Sequence, residues 1–539
     1  IRVAEGLLIP ENKIRIISAQ VGGAFGGKED IFILSIAVAL SQRAGRPVKI
    51  ILTRKEEFSM TRPRHPAKIR VKSGVRKDGA IVARQVETVF NTGAYADQGP
   101  GVCGAATSRA MGPYRIPNFQ LDGYVVYTNH PICGAYRGYG SPQVSFAVES
   151  QMDIIAGKLA LDPVEFRMKN AIEAGDKRLD GQIMTTVGLK DCLAEVSRAS
   201  GWQQATAGGS RGRGVALVQH ISGNLTSGAL VKINQDGSVT VCSGAVDMGT
   251  GSATTLAQMA AEELGLPLED INMVMADTDA TPYDWSTAAS RTTFVSGNAV
   301  KAAAADAKSQ LFKLAASKLE ANPEDLVSQD RKVFVQGTPE KALSFRQLGM
   351  LSHWVKGGAI IGKASHVVEA YPMEKGKAVG MPLRGFAALN FGAQAVELEV
   401  DEETGDIRLL GLWAALDCGQ PINPTNVEGQ IEGAFAQGLG YALFERIHLE
   451  QGKVLNPNLT DYKLPTSLDI PASTVTLCHT HEPTGPFGAK GVGEAALVPT
   501  AAAIANAVYR ACGVRLRTIP LSREEILKAL RSRAEVKRS

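Results

Sequence analysis

Five short loops rich in small residues stand out because each precedes a segment with the periodicity of a helix. The N–H groups at a helix N-terminus are unpaired and carry the positive end of the helix dipole, so such a loop can bind an anion. One loop of this kind is more often explained by tight packing. Five in one chain indicate a large anionic ligand held from several sides. The loops span residues 22–27, 137–141, 248–252, 286–293 and 488–494.

The first loop also fits the spacing of a nucleotide-binding P-loop. The pattern G-x-x-x-x-G-K runs over residues 22–28, and a strand is expected before it. A P-loop requires a Ser or Thr directly after the Lys, because that hydroxyl binds magnesium. Glu29 stands there instead, and its carboxylate would repel a triphosphate. The sequence therefore argues against a nucleoside triphosphatase.

Taken together, the loops resemble the molybdenum-pterin segments of the xanthine dehydrogenase/aldehyde oxidase family. They follow in that family's order and approximate spacing, and they cover nearly the whole chain. The resemblance is to the molybdopterin-binding large subunit, lacking its N-terminal portion. The matching segments are GGAFGGKE at 22–29, AYRGYGSPQ at 135–143, DMGTGS at 247–252, TAASRTT at 287–293, DCGQPINP at 417–424, EGQIEGAFAQGLG at 428–440 and KGVGE at 490–494.

The resemblance implies three catalytic residues. Glu494 matches the family's general base, which removes a proton from the oxygen that attacks an electron-poor carbon. That role requires partial desolvation, which would raise the Glu494 pKa toward working pH. Arg137 matches an arginine that positions substrate or balances developing negative charge. Glu29 matches a carboxylate that hydrogen-bonds the substrate ring. The structural alternative is helix capping for Glu494 and, for Glu29, a first-turn position favoured by the helix dipole.

The resemblance also implies a bound molybdenum-pterin, either molybdopterin or its dinucleotide form. The pterin dithiolene holds the metal in this family, so no Cys or His ligand is expected. Tyr139 and Trp285 match the substrate pocket, with core packing as the alternative. Backbone and amide groups are expected to cradle the cofactor at Phe25, Gly26, Met248, Gly249, Thr250, Gly251, Ala288, Ala289, Ser290, Arg291, Thr292 and Gln430.

Departures from the family pattern limit which substrates are expected. Thr250 stands where many relatives have Gln and would reach a metal oxygen only through a water. The AYRGYG loop has no Cys, which argues against a copper-molybdenum carbon monoxide dehydrogenase. No Phe lies in residues 219–223, and Arg109 has the wrong spacing before Tyr114 for a purine-binding arginine. We therefore expect oxidative hydroxylation of an aldehyde or N-heteroaromatic carbon with water. The alternatives are a reductive aryl-CoA enzyme (hydroxybenzoyl-CoA reductase-like) and a non-catalytic cofactor-carrying protein.

The same comparison predicts partner chains. Only 21 residues precede the GGAFGGKE loop, so a separate N-terminal companion chain is expected, unless the sequence is truncated. The seven cysteines are scattered and include no CxxC, so they cannot hold the family's iron–sulfur clusters. An iron–sulfur subunit and an FAD subunit are the implied electron acceptors, in an oligomeric complex that acts on a small molecule.

Composition excludes other classes of partner. A net charge of +4 over 539 residues argues against nucleic-acid binding, which would need a clustered basic face. No run reaches about 18 consecutive apolar residues, so no transmembrane helix is expected. Free, scattered thiols are typical of a reducing compartment, so a cytoplasmic location is expected.

Alternating helical and extended patterns predict a mixed α/β (α+β) fold. We expect two elongated molybdopterin-binding domains with mixed sheets and packed helices, at residues 1–195 and 196–539, the second carrying Glu494. The boundary is placed there because residues 175–212 are polar and show little periodicity. Strands are expected at 13–21 and 47–54. An Asp-Gly turn at Asp236 predicts a hairpin.

Overall fold

The computed structural model describes residues 2–29, 32–178, 183–204, 206, 209–355, 357–368 and 388–538. The helices are α1 (Arg2–Leu7), α2 (Phe32–Ala44), α3 (Arg54–Met60), α4 (Gly99–Arg109), α5 (Ser141–Lys158), α6 (Pro163–Asn170), α7 (Leu189–Ala199), α8 (Ser252–Leu264), α9 (Gly297–Leu319), α10 (Phe345–Trp354), α11 (Pro424–Leu439), α12 (Thr500–Cys512) and α13 (Arg523–Arg538). The strands are β1 (Ala67–Val75), β2 (Ile81–Gly93), β3 (Asn118–Tyr127), β4 (Arg211–Ser222), β5 (Thr226–Ile233), β6 (Val239–Ser243), β7 (Ile271–Met275), β8 (Leu326–Gln329), β9 (Lys332–Val335), β10 (Thr338–Ser344), β11 (Ile361–Val367), β12 (Ala388–Val400), β13 (Ile407–Asp417), β14 (Leu449–Glu450), β15 (Lys453–Val454) and β16 (Ser473–Cys478).

The strands form mixed sheets, as expected from the sequence. The main sheet has the order β16-β13-β12-β4, in which β16 adds parallel to β13 and the other pairs are antiparallel. A second four-stranded sheet has the order β11-β5-β6-β7, and β1-β2-β3 form a third. Two small sheets, β10-β9-β8 and β14-β15, complete the set. Helices pack on these sheets, so the mixed α/β architecture is confirmed.

Helix α12 lies directly on strand β4 because two glycines make room for its backbone. A Cβ added at Gly214 would lie 2.1 Å from the Ala503 carbonyl oxygen, and one at Gly212 would lie 2.3 Å from that of Ala507. We call this contact the α12–β4 notch. The segment Ala495–Cys512 is long and apolar enough to cross a membrane, and 83% of it is buried inside the protein.

The alanine-rich helix α9 packs on the second sheet in the same way. A Cβ at Gly362 on β11 would lie 2.0 Å from the Ala303 carbonyl oxygen. Ala299, Ala303 and Ala307 are fully buried along the contact face of α9. At both helix–sheet interfaces, small residues therefore let the helix and strand backbones approach closely.

The expected hairpin at Asp236 is confirmed, and two expected strands are wrong. Asp236 and Gly237 form the turn between the antiparallel strands β5 and β6, and β12 and β13 form the later hairpin. Residues 13–21 form no strand; Ile17 makes only an isolated bridge to Asp277, because no neighbouring strand is available to pair with them. Residues 47–54 are not a strand either. They lead into α3, where the Thr53 side chain caps the helix by accepting the Glu56 N–H.

The polar stretch at 175–212 contains a helix that the sequence analysis missed. Helix α7 buries Leu189, Cys192, Leu193 and Val196, which have the i, i+3, i+4, i+7 spacing of one helical face. This apolar face packs in the same hydrophobic core as Phe391 of β12. The domain boundary at 195/196 falls within α7, and it stays a prediction.

A buried carboxylate joins α5, α6 and the main sheet. Glu149 accepts a hydrogen bond from the Arg167 guanidinium at 2.9 Å and one from the Leu217 N–H at 3.0 Å. The Tyr114 hydroxyl also donates to it. The Arg167 and Glu149 side chains are 0% and 1% exposed, so each charge depends on the other.

We predict that Glu149→Gln destabilises the fold, because it leaves the Arg167 charge buried without an anionic partner. Removing one member of a buried pair costs about 3–5 kcal/mol. The matched control, Glu87→Gln, removes the partner of a largely exposed Arg70 and should cost less than about 1 kcal/mol. Urea unfolding monitored by circular dichroism measures both. Equal effects of the two variants would contradict the structural role of Glu149.

Candidate functional site

One cavity of about 2680 Å³ gathers the residues singled out from the sequence. Its wall contains parts of all five glycine loops together with α11. Of the candidates, only Gly251 lies outside the lining, because it forms the cap of α8 instead. The lining candidates are Phe25, Gly26, Glu29, Arg137, Tyr139, Met248, Gly249, Thr250, Trp285, Ala288, Ala289, Ser290, Arg291, Thr292, Gln430 and Glu494.

Glu494 is the point where three distant loops meet. Its Oε1 accepts a hydrogen bond from the N–H of Gly138 at 3.0 Å. Its Oε2 accepts one from the Ser290 hydroxyl at 3.2 Å. The residue lies just before the turn Ala495–Leu497 that leads into α12. The carboxylate is therefore fixed by its own core helix and by two other loops.

The expectation of a raised pKa at Glu494 is wrong for this polypeptide. Burial raises the Glu494 pKa, but His220, the Gly138 N–H, Arg109 and the Ser290 hydroxyl together lower it below its ordinary value of 4.5. Donors and positive charge around the carboxylate thus outweigh its desolvation. Glu494 is consequently ionised at neutral pH and can accept a proton.

The guanidinium of Arg137 is hydrogen-bonded to other groups of the protein. Its Nε donates to the Gly493 carbonyl at 2.7 Å, its Nη1 to Gln437 Oε1 at 3.1 Å and its Nη2 to the Gln430 carbonyl at 3.1 Å. The side chain also stacks on Phe25, with the guanidinium carbon 5.7 Å from the ring centroid. This geometry favours a role in holding the residue before Glu494 against α11.

Buried polar contacts hold the loop that carries Glu494. Lys490 Nζ lies 2.7 Å from Asp417 Oδ2, and both side chains are 0% exposed. The Gly491 N–H donates to Ser222, while Asn390 donates to the Gly491 carbonyl. A Cβ at Gly491 would lie only 1.7 Å from the Ser290 carbonyl oxygen, so only glycine fits there.

The loop at 247–252 uses its amides differently from the expectation. Asp247 accepts hydrogen bonds from the N–H groups of Gly249, Thr250 and Gly251 at 3.0–3.2 Å, so these donors are already paired. The amides of residues 249–251, expected to cradle a ligand, are therefore bound by the loop's own carboxylate. The hydroxyls of Thr250 and Ser252 are buried with no hydrogen-bond partner. They are the groups of this loop left to bind a ligand.

The loop at 286–293 has a strained backbone and is held by buried contacts. Ala289 and Ser290 have φ values of 55° and 50°, a left-handed backbone that costs non-glycine residues about 1–3 kcal/mol each. Arg291 is buried, pairs with Asp284 at 2.6 Å and donates to the Thr226 carbonyl. Its charge is satisfied inside the protein, so a ligand in the cavity meets the loop at Ala288, Ala289 and Ser290.

A short hydrogen-bonded chain also lines the cavity. The Tyr139 hydroxyl donates to Gln98 Oε1 at 2.7 Å, and Gln98 Nε2 donates to Glu29 Oε2 at 3.4 Å. Burial and the neighbouring Glu494 charge raise the Glu29 pKa, and burial raises that of Tyr139 to about 12. Trp285 is partly exposed on the cavity wall.

Sequence reasoning missed several residues of the site. Arg109 was set aside because of its spacing, yet α4 brings it to the cavity, where its Nη1 donates to the Ser141 hydroxyl at 2.8 Å. Lys490 and Asp417 stand in two of the quoted motifs, and their opposite charges were the signal available. His220 and Gln98 had no signal, because only the folded chain brings them to Glu494 and Glu29.

The groups present fit a pterin with its phosphate. The unpartnered buried atoms at the cavity wall include Thr250 Oγ1, Ser252 Oγ and Asn224 Oδ1, which are neutral donors or acceptors. Such groups can match the edge of a pterin and the oxygens of a phosphate. Within the described part of the chain, no three His, Cys, Asp or Glu side chains cluster to hold a metal ion, including the C-H-x-H segment at Cys478.

Comparison with known proteins gives the same assignment. Models of the molybdopterin cofactor-binding domain match residues 2–171 and 192–471. The chain is 35% identical over 540 residues to the xanthine dehydrogenase molybdenum-binding subunit of Escherichia coli O157:H7, covering 96% of this chain and 70% of that protein. It is 28% identical over 546 residues to the aldehyde oxidoreductase of Megalodesulfovibrio gigas, covering 98% of this chain and 56% of that protein.

A solved structure shares the fold. Quinoline 2-oxidoreductase from Pseudomonas putida 86 superposes with a TM-score of 0.89 at 28% identity, over 98% of this chain and 70% of that one. With the converging loops and the carboxylate at their centre, these matches establish that the chain belongs to the xanthine dehydrogenase/aldehyde oxidase family, as a molybdopterin-binding subunit of a molybdenum-dependent oxidoreductase.

Proposed function

We propose that this chain is the catalytic subunit that hydroxylates an aldehyde or N-heteroaromatic carbon with water and passes electrons to iron–sulfur partner subunits. The observation that carries the proposal is the ionised, buried carboxylate of Glu494 at the wall of the common cavity. In the overall reaction, R–H and water give R–OH, two electrons and two protons. A molybdenum-pterin held in this cavity would supply the two-electron acceptor for the reaction.

Glu494 is proposed as the base that takes a proton from the water-derived oxygen. Its two oxygens are held by Gly138 and Ser290, so the carboxylate is oriented before substrate arrives. Arg137 would act by positioning, since it fixes the Gly493 carbonyl beside the base. A base already oriented and ionised needs little reorganisation when the proton moves.

Glu29 is proposed to bind the substrate opposite the base. Its raised pKa and the lowered pKa of Glu494 separate the two carboxyl groups in proton affinity. Pairs of carboxyl groups separated in this way commonly divide acid and base roles. Glu29 would hydrogen-bond the substrate ring, supported by Gln98 and Tyr139.

The substrate class is supported by the cavity wall. At residues 219–223, where purine-specific relatives carry aromatic side chains, this chain has polar Gln219 and His220 lining the cavity. The similar proteins include an aldehyde oxidoreductase and a quinoline 2-oxidoreductase beside the xanthine dehydrogenase subunit, so their names do not limit the substrate to purines. An aldehyde or a nitrogen heterocycle therefore suits the site better than a purine.

The experiment that tests this function is native purification followed by elemental analysis and a substrate panel. We expect stoichiometric molybdenum, iron only in copurifying subunits, and turnover of quinoline or benzaldehyde above that of xanthine. Mass spectrometry would identify the copurifying chains. Absence of molybdenum and of any acid-extractable pterin would contradict the catalytic assignment, and stoichiometric iron in the isolated chain would contradict the partner assignment.

We predict that Glu494→Gln keeps the cofactor and removes turnover. The amide preserves the hydrogen-bonding shape but cannot take a proton, so turnover should fall by about 10²–10⁴-fold. Molybdenum content and steady-state rates measure the two properties separately. Glu403→Gln, on the exposed β12–β13 turn, is the control and should behave as wild type. Retained turnover in Glu494→Gln would remove the base assignment.

We predict that Gly491→Ala loses the cofactor. Its Cβ would meet the Ser290 carbonyl oxygen at 1.7 Å, which forces the 286–293 loop away from the cavity. Overpacking of this kind costs about 1–3 kcal/mol, so the chain should still fold. Gly433→Ala on α11 is the control, because nothing lies within 4 Å of its Cβ. Molybdenum content after gel filtration should fall only in Gly491→Ala, and equal retention would contradict the proposed cradle.

A further inference from the structure

One peptide group joins an arginine inside the protein to the proposed base. The bond between Arg137 and Gly138 is planar and conjugated, so its carbonyl and its N–H behave as one polarisable unit. The carbonyl oxygen of Arg137 accepts a hydrogen bond from Arg64 Nη2 at 2.9 Å. The N–H of Gly138 donates to Glu494 Oε1 at 3.0 Å. A guanidinium cation and a carboxylate are therefore bound to the same peptide.

Two aromatic rings hold Arg64 beside this peptide. Its guanidinium carbon lies 4.4 Å from the centroid of the Tyr136 ring and 5.0 Å from that of the Tyr441 ring. Both distances are within about 6 Å, the range in which the face of a ring attracts a cation. Tyr441 belongs to the π-helical turn Gly440–Phe444 that follows α11. The two tyrosines therefore help to fix the guanidinium where Nη2 reaches the Arg137 carbonyl.

The charge of Arg64 persists although it is taken out of water. Burial lowers the Arg64 pKa from its ordinary value of 12.5, but an arginine stays protonated in a protein. Glu445 and Glu494 both favour that charge. The carboxylate of Glu445 accepts a hydrogen bond from the Tyr462 hydroxyl at 2.6 Å. The link between Arg64 and Glu494 is the peptide that both side chains contact.

A hydrogen bond at the carbonyl of a peptide strengthens the hydrogen bond made by its N–H. A cation at the oxygen draws electron density toward that end of the group and leaves the N–H more positive. Chains of hydrogen bonds polarise one another in this way, by about 10–30% per bond. Bonds to charged groups are also stronger than neutral ones. Glu494 thus receives a stronger donor than an ordinary backbone amide.

We propose that Arg64 is a positioning residue for the base: through the Arg137–Gly138 peptide it strengthens the hydrogen bond that orients Glu494 and favours its ionised form. The inference rests on the proposed function of Glu494. Arg64 lies outside the cavity lining and acts only through the backbone of the 137–141 loop. It takes no proton, and no covalent bond changes at it.

A matched control is needed because many groups act on these two side chains. Arg84 provides it: this guanidinium is also buried, lies 5.8 Å from the centroid of Tyr114 and donates to a backbone carbonyl, that of Met111, at 2.6 Å. That carbonyl follows α4 and belongs to a different peptide. The titratable and charged groups around Glu494 are His220, Arg109, Arg137, Arg64 and Glu29, and those around Arg64 are Tyr136, Tyr441, Glu445, Tyr462 and His65.

Nuclear magnetic resonance of the full chain observes the Gly138 amide directly and without turnover. Labelling arginine carbonyl carbons with ¹³C and glycine nitrogens with ¹⁵N selects the Arg-Gly peptides, and Arg137→Lys identifies the one at Gly138. Glu494→Gln should move the Gly138 proton upfield, because a neutral amide oxygen is a weaker acceptor than a carboxylate. The Arg-Gly peptides lie at 137–138, 211–212, 213–214 and 384–385.

Arg64→Gln should move the Gly138 proton in the same direction, by about 10–30% of the change in Glu494→Gln. Arg64→Lys keeps a cation near the Arg137 carbonyl and should have a smaller effect. Arg84→Gln should leave the resonance in place. An unchanged resonance in Arg64→Gln would overturn the inference, and so would equal changes in Arg64→Gln and Arg64→Lys, because the effect would then not depend on charge.

The pH profile of the active complex, with quinoline or benzaldehyde as substrate, separates this inference from the proposed function. Without Arg64 the carboxylate is less stabilised, so the Glu494 pKa rises. The acid limb of kcat/KM should then move up by about 0.1–0.7 pH unit in Arg64→Gln, while the plateau at higher pH and the KM are retained. Arg84→Gln should leave the limb unmoved.

The two measurements fail in different ways. A moved Gly138 resonance with an unmoved acid limb would overturn Glu494 as the base and thus the proposed function. A fall of kcat/KM by the same factor at every pH in Arg64→Gln would show a purely structural effect and overturn the inference about Arg64.

Discussion

The site depends on keeping one ionised carboxylate, Glu494, inside the protein. A buried charge without partners is strongly unfavourable, so its surroundings must provide donors and positive charge. Gly138 and Ser290 supply the donors, and Arg109 supplies positive charge. In sequence, Ser290 is more than 200 residues from Glu494, and Gly138 is more than 350 residues away. The need to satisfy this carboxylate therefore fixes how the glycine loops meet.

Three charged residues in or beside the glycine loops are satisfied inside the protein. Asp247 accepts hydrogen bonds from the amides of its own loop, and Arg291 pairs with Asp284. Arg137 donates hydrogen bonds to carbonyls around Glu494. What these loops leave for a ligand is largely neutral: hydroxyls, amides and backbone. A pterin and its phosphate can then be bound by shape and hydrogen bonds without a strong attraction for unrelated anions.

The sequence allowed the glycine loops and the hairpin at Asp236 to be predicted, because glycine positions and turn residues are local signals. The strands expected at 13–21 and 47–54 failed since a strand also needs a partner, which local patterns do not reveal. Helix α7 was missed although its apolar face has regular spacing, because the polar residues around it dominated the pattern.

Within the site, the candidate residues from the quoted motifs line one cavity, apart from Gly251. Their hydrogen-bond assignments could not be foreseen. The amides of residues 249–251, expected to cradle a ligand, are bound by Asp247, and the pKa of Glu494 is lowered where a rise was expected. Both differences depend on three-dimensional neighbours. The contribution of Arg109 required the length of α4 and its packing, which the spacing to Tyr114 does not give.

The α12–β4 notch has a consequence for how such a site can diversify. Strand β4 carries Ser222, which accepts the Gly491 N–H, and Glu494 leads into α12, so the proposed base adjoins this tightly packed contact. Glu29, Gln98 and Tyr139 lie on separate loops and at the N-terminal end of α4, joined by side-chain hydrogen bonds. Substitutions at these positions can change which substrate the cavity accepts while the α12–β4 notch stays intact.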